Sequence, residues 1–82
     1  MADMAPFALR PPVKRSVTIA GHPTSISLEP VFWDALEAAA ARLNLPINAL
    51  VARIDVERME AGNLPNLTSA IRQWLWHDRG EH

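Results

Sequence analysis

Polar side chains suited to holding an anion or reading a base edge are concentrated between residues 14 and 29. Lys14, Ser16 and Thr18 alternate with Arg15, Val17 and Ile19 in one segment, and Ser25, Ser27 and Glu29 alternate with Ile26 and Leu28 in a second. At a spacing of two, the members of each set project from one side of an extended chain. The product is a hydroxyl face that also carries a cation, Lys14, and a carboxylate, Glu29. Such a face fits three uses: a solvated sheet surface, contact with a nucleic-acid groove, or a shell around a small polar ligand. In the ligand version Arg15 or Lys14 holds a carboxylate and Glu29 an ammonium group, with Ser25 and Ser27 completing the shell, as an amino acid requires. In the groove version Lys14 meets a phosphate while the hydroxyls bond base edges, which serine does with little discrimination.

Catalytic chemistry finds no equivalent set. The chain has no Gly-rich phosphate loop, no carboxylate pair at helical spacing in an apolar setting, and no nucleophile beside a base. Cysteine is absent, and His22, His77 and His82 lie far apart. Disulfides, thiolate chemistry and cysteine-based metal sites are thereby excluded. The expectation is a non-enzyme without metal or cofactor.

At 82 residues the chain is a single small domain. Chains this short commonly draw extra stability from disulfides, metal or self-association, and with the first two set aside self-association remains. Hydrophobic residues make up 49% of the chain, ample for a core. No apolar run approaches the length of a membrane span and the N-terminal residues lack a signal-peptide core, so a cytoplasmic protein without membrane contact is expected. The net charge of −1 is unevenly spread. Arg10, Lys14 and Arg15 face only Asp3 in the first 28 residues, while acids outnumber bases over residues 29–60. A basic end on an acidic body can steer towards phosphate.

Residues 1–13, with three prolines and no periodicity, read as a mobile arm, residues 14–78 as the domain, and 79–82 as a frayed tail. Two alternating segments around Gly21-His22-Pro23-Thr24 predict a β-hairpin. Pairing Ile19 with Ile26, Val17 with Leu28 and Ser16 with Glu29 puts the aliphatics on one face and the hydroxyls on the other. By the same parity Arg15 points to the apolar side, where an ion pair with a helix carboxylate is expected. A first helix starts at Pro30, carries the stripe Phe32, Leu36, Ala39, Ala40 and Leu43, and stops at Asn44-Leu45-Pro46. A second, about 47–61, has two apolar stripes: Ile47, Leu50, Val51 and Ile54 on one side, and Ala49, Ala52, Val56 and Met59 on the other. A helix apolar on two sides is buried between two surfaces, and the second surface is read as another subunit. Gly62 ends that helix, Asn63 to Asn66 form a turn, and Asn66 caps a third helix, about 67–78, with the stripe Leu67, Ala70, Ile71, Trp74 and Leu75. Trp33 reads as core or interface. Trp76 points away from the stripe, either stacked with Arg72 or serving as a partner anchor.

The segment TSISLEPVFWDALEAAAARLNLPINALVARI, residues 24–54, resembles the ribbon-helix-helix fold of Arc-type repressors. With its preceding strand, VKRSVTIAGHPTSISLEPVFWDAL is similar to a bacterial subfamily of small ribbon-helix-helix domain proteins associated with DNA binding. The resemblance implies an intertwined homodimer whose strands pair into a ribbon entering the major groove of an operator. It also implies that Ser25, Ser27 and Glu29 are outward ribbon positions. Asn48, in the first turn of the second helix, is then placed at a phosphate clamp.

The fold expected is therefore α+β, mainly α: ribbon-helix-helix with an N-terminal β-hairpin and a third C-terminal helix, in a homodimer. The function expected is a DNA-binding transcriptional regulator, with Lys14, Ser16, Thr18, Ser25 and Ser27 on the DNA face and Asn48 at phosphate. The alternative is a module on the same frame that binds a small polar ligand through Arg15, Ser25, Ser27 and Glu29, or a protein partner through Trp76.

Overall fold

The computed structural model describes residues 9–62 and 66–80. Most of the arm expected over 1–13, most of the 63–66 turn and the end of the tail lie outside them. Strands β1 (Val13–Ile19) and β2 (His22–Leu28) form an antiparallel hairpin, followed by helices α1 (Pro30–Arg42), α2 (Ile47–Glu60) and α3 (Leu67–Gly80). The chain is mainly helical, as expected.

The hairpin register differs from the one read in the sequence. Val17 lies opposite Thr24, Arg15 opposite Ile26, Val13 opposite Leu28, and Ile19 opposite His22. The connection is two residues long, Ala20-Gly21, with φ of 52° and 82°. Positive φ at both central positions is the type I′ pattern, whose twist matches that of the flanking strands. Sequence reading placed the turn further along because proline and glycine mark turns, whereas alanine rarely adopts this conformation. Pro23 instead sits inside β2, where its missing N–H falls on the side turned away from β1. The register shift is an even number of residues, so each side chain keeps its expected face. Val17, Ile26 and Leu28 are buried, and the hydroxyls face out.

Helix α1 begins at Pro30, with Glu29 as N-cap in extended conformation; the Glu29 carbonyl accepts from the Phe32 and Trp33 amides at 2.8 and 3.1 Å. At its C-terminus Asn44 takes φ 58°, and the amides of Asn44 and Leu45 donate to the carbonyls of Ala41 and Ala40 at 3.1 and 2.9 Å. This is a Schellman ending, and it satisfies carbonyls the helix would otherwise leave orphaned. Gly62, φ 76°, closes α2 in the same left-handed conformation, and Asn66 Oδ1 accepts from the Ser69 amide at 2.8 Å to cap α3.

One core joins all five elements: Val17, Ile26, Leu28, Trp33, Leu36, Ala39, Ala40, Leu50, Val51, Ile54, Ile71 and Leu75. Each fully buried aliphatic among them contributes about 1.5–3 kcal/mol by leaving water. Trp33 belongs to this core and donates Nε1–H to the Val13 carbonyl at 2.8 Å. Of the first stripe of α2, Leu50, Val51 and Ile54 are buried here and Ile47 is partly buried. The second stripe is not covered: Val56 is 53% and Met59 58% exposed.

Candidate nucleic-acid interface

The hairpin register brings the outward side chains of both strands together. Lys14 lies opposite Ser27 and Ser16 opposite Ser25, with Thr18 beyond them opposite Pro23. All five expected face residues, Lys14, Ser16, Thr18, Ser25 and Ser27, are exposed. They form one polar surface on the side of the hairpin away from the core.

Glu29 is not part of this surface. It follows the last paired residue of β2 and caps α1, and the Arg72 guanidinium of α3 donates to its carboxylate at 3.0 Å. A backbone hydrogen bond at Glu29 and the bond from Arg72 hold its carboxyl below the ordinary value, outweighing the small desolvation effect. The pairing of Ser16 with Glu29 is therefore replaced by Ser16 with Ser25, and the hydroxyl face carries Lys14 but no carboxylate.

Arg15 takes the inward parity expected of it. Its guanidinium donates to Glu37 of α1 at 3.0 Å and stacks 4.5 Å from the centre of the Trp33 ring. The four residues of the expected ligand shell are thus not assembled. Ser25 and Ser27 lie on the outer face, Arg15 lies on the other face with Glu37, and Glu29 is held by α3.

Asn48 sits in the first turn of α2 as read from the sequence, and its Oδ1 accepts from the Thr18 backbone amide at 3.2 Å. The side chain expected at a phosphate ties the start of α2 to the edge of β1. The N-cap of α2 is Pro46, which supplies no side-chain acceptor.

A second surface was only partly legible. Trp76 is 72% exposed, and the cation over its ring is Arg79 at 5.3 Å, not Arg72. Arg72 is drawn away by Glu29 and lies 5.4 Å from the Phe32 ring. Trp76 borders a groove of about 560 Å³ between α1 and α3, with Val31, Ala35 and Ala38 on the α1 side. The Arg42–Asp78 ion pair at its end ties the two helices together. The signal for this groove in the sequence was the spacing of Val31, Ala35 and Ala38, a small apolar row next to the core stripe.

A family model described as a ribbon-helix-helix domain matches residues 12–78, nearly the whole of the hairpin and three helices. The chain belongs to the ribbon-helix-helix domain family. No curated protein and no solved structure matches it. Ribbon-helix-helix domains are generally DNA-binding regulators without enzymatic activity and usually bind DNA as dimers. Among the described residues no helix is long and apolar enough to cross a membrane.

Proposed function

We propose that this ribbon-helix-helix protein is a bacterial, cytoplasmic transcriptional regulator that binds operator DNA as a homodimer through the outer face of its hairpin. The observation that carries the reading is the composition of that face. Lys14, Ser16, Thr18, Ser25 and Ser27 are exposed on one side of the ribbon, and the nearest acid, Glu29, is turned into an ion pair with Arg72. A carboxylate left on the ribbon would repel phosphate; its removal supports contact with DNA. Lys14 supplies the charge for a phosphate and the hydroxyls supply donors and acceptors for base edges or backbone oxygens. The uncovered stripe of α2, with Val56 and Met59, supports a second subunit.

The test is retention of pooled short genomic duplexes by the purified protein at low and then physiological salt. Selective retention of a few sequences is expected. The salt slope should be shallow, because each neutralised phosphate contributes about 0.9 to it and the face has one lysine per chain. Absence of retention even at low salt removes this reading.

One observation favours a second reading, docking of a protein on the same frame: the exposure of Trp76 at the edge of an apolar groove. The small-ligand reading is less well supported, since Glu29 and Arg15, one of the two cations it could use, have partners within the chain.

A further inference from the structure

The groove between α1 and α3 has an apolar floor. Val31, Ala35 and Ala38 line it from α1 at helical spacing, and Leu75 and Trp76 line it from α3. Val31 is 60% and Trp76 72% exposed, so the described residues leave much of this floor uncovered. The rim carries Arg42, Arg72 and Arg79 against one acid, Asp78. Arg42 is bonded to Asp78 and Arg72 to Glu29, whereas the partner of Arg79 among the described residues is the Trp76 ring. The groove therefore suits an apolar segment that brings a carboxylate to Arg79.

The chain itself supplies such a segment. A second hollow adjoins the groove and shares Val31 and Phe32 with it, and Leu9 and Arg10 border that hollow. Leu9 is the first described residue, so residues 1–8 lead off from beside the groove. Their sequence, MADMAPFA, has Asp3 as its sole charged side chain and Met1, Met4 and Phe7 as its large apolar ones. The reach is sufficient. Extended chain advances about 3.3 Å per residue, while a helix rises about 1.5 Å. Phe7 can then come level with Ala35, one turn beyond Val31, and Asp3 has ample length to meet Arg79. Pro6 favours an extended path and has no N–H to leave unsatisfied in an apolar groove. A segment tethered this closely meets the groove at an effective concentration on the order of millimolar, which a separate partner has to outcompete.

We infer that residues 1–8 dock into the α1–α3 groove of their own chain, with Phe7 on the Val31 and Ala35 row and Asp3 paired with Arg79. The segment covers Trp76, and a protein partner reaches the groove only by displacing it. This inference is independent of the DNA-binding reading. It goes beyond the docking reading of Trp76 by naming the groove's first occupant.

The chain contains no cysteine, so Ala5→Cys places a single nitroxide label within the segment and outside the core. The indole N–H resonance of Trp76 is read in the full chain with the label oxidised and then reduced, and is identified by its absence in Trp76→Phe. Loss of that resonance with the oxidised label is expected, as is its recovery when Phe7→Ala is added. An undiminished resonance overturns the inference and leaves the groove to a separate protein. Loss that persists in Phe7→Ala also overturns it, because the tether alone would then account for the proximity. In a mixture of isotope-labelled chains lacking the nitroxide with unlabelled chains carrying it, the Trp76 resonance should remain. Loss in the mixture would mean that the segment of another copy fills the groove, and would overturn docking within one chain.

Discussion

The outer hairpin face and the α1–α3 groove are both exposed, yet they are built from opposite materials. The hairpin face is a flat row of hydroxyls with one lysine and no acid. The groove is apolar, bordered by Trp76 and by arginines already engaged: Arg42 with Asp78, Arg72 with Glu29, and Arg79 over the indole. A flat hydroxyl surface gives weak, adaptable hydrogen bonding and gains strength only by repetition, as a dimer on a repeating polymer supplies. A groove with an exposed tryptophan offers concentrated apolar contact to a single partner. On the proposed reading, one small fold separates a surface for DNA from one for a protein partner. Glu29–Arg72 is the joint between them, linking the end of the ribbon to α3.

The largest effect on this comparison comes from removing what both surfaces stand on. Leu36 is fully buried within the shared core, so Leu36→Ala should cost about 2–5 kcal/mol. Denaturant unfolding followed by helix signal and by tryptophan emission should show hairpin and groove lost together. Two separated transitions would mean that the regions are independent. Next in size is the turn. Gly21 has φ 82° with open space around it, so Gly21→Ala meets backbone strain alone, roughly 1–2 kcal/mol. Duplex binding should suffer while acrylamide quenching of Trp76 stays as it was.

Smaller effects distinguish the surfaces without unfolding either. Lys14→Ala should reduce the salt slope of duplex binding by about 0.9 per chain, and Trp76→Ala should leave both slope and affinity unchanged. A loss of DNA affinity in Trp76→Ala would join the two surfaces into one. The smallest effect is at the joint. Because its folded-state pKa is depressed, Glu29 contributes stability above the ordinary carboxylate range and loses it as pH falls through the folded value. Partly exposed ion pairs are weak, so the effect is a slight loss at acid pH. Glu29→Gln should abolish that part of the acid dependence, measured by thermal unfolding between neutral and acid pH, and leave duplex binding equal or improved.

Much of this molecule was legible before its structure. Pro30 and Asn66 mark helix starts and Gly62 a helix end. The stripes of α1, α2 and α3 follow the helical period, and alternation assigns Val17, Ile26 and Leu28 to the core. Arg15 was placed on the inner side by parity alone, and it is there, bonded to Glu37. The hairpin register was not legible. It depended on Ala20 taking a left-handed conformation that its side chain does not advertise, while Pro23 sits in a strand that its side chain argues against.

The candidate site divides in the same way. Local chemistry determined that Lys14, Ser16, Thr18, Ser25 and Ser27 face outwards, since period and parity are properties of neighbouring residues. Tertiary structure alone decided that Asn48 would hold the Thr18 amide, that Glu29 would leave the ribbon for Arg72, and that Arg79 would replace Arg72 over Trp76. The physical reason is range. Side-chain direction is set within a few residues, whereas a long polar side chain takes the best partner within reach of its rotamers. Folding determines which groups those are, here from residues 30 and 43 positions away in the chain.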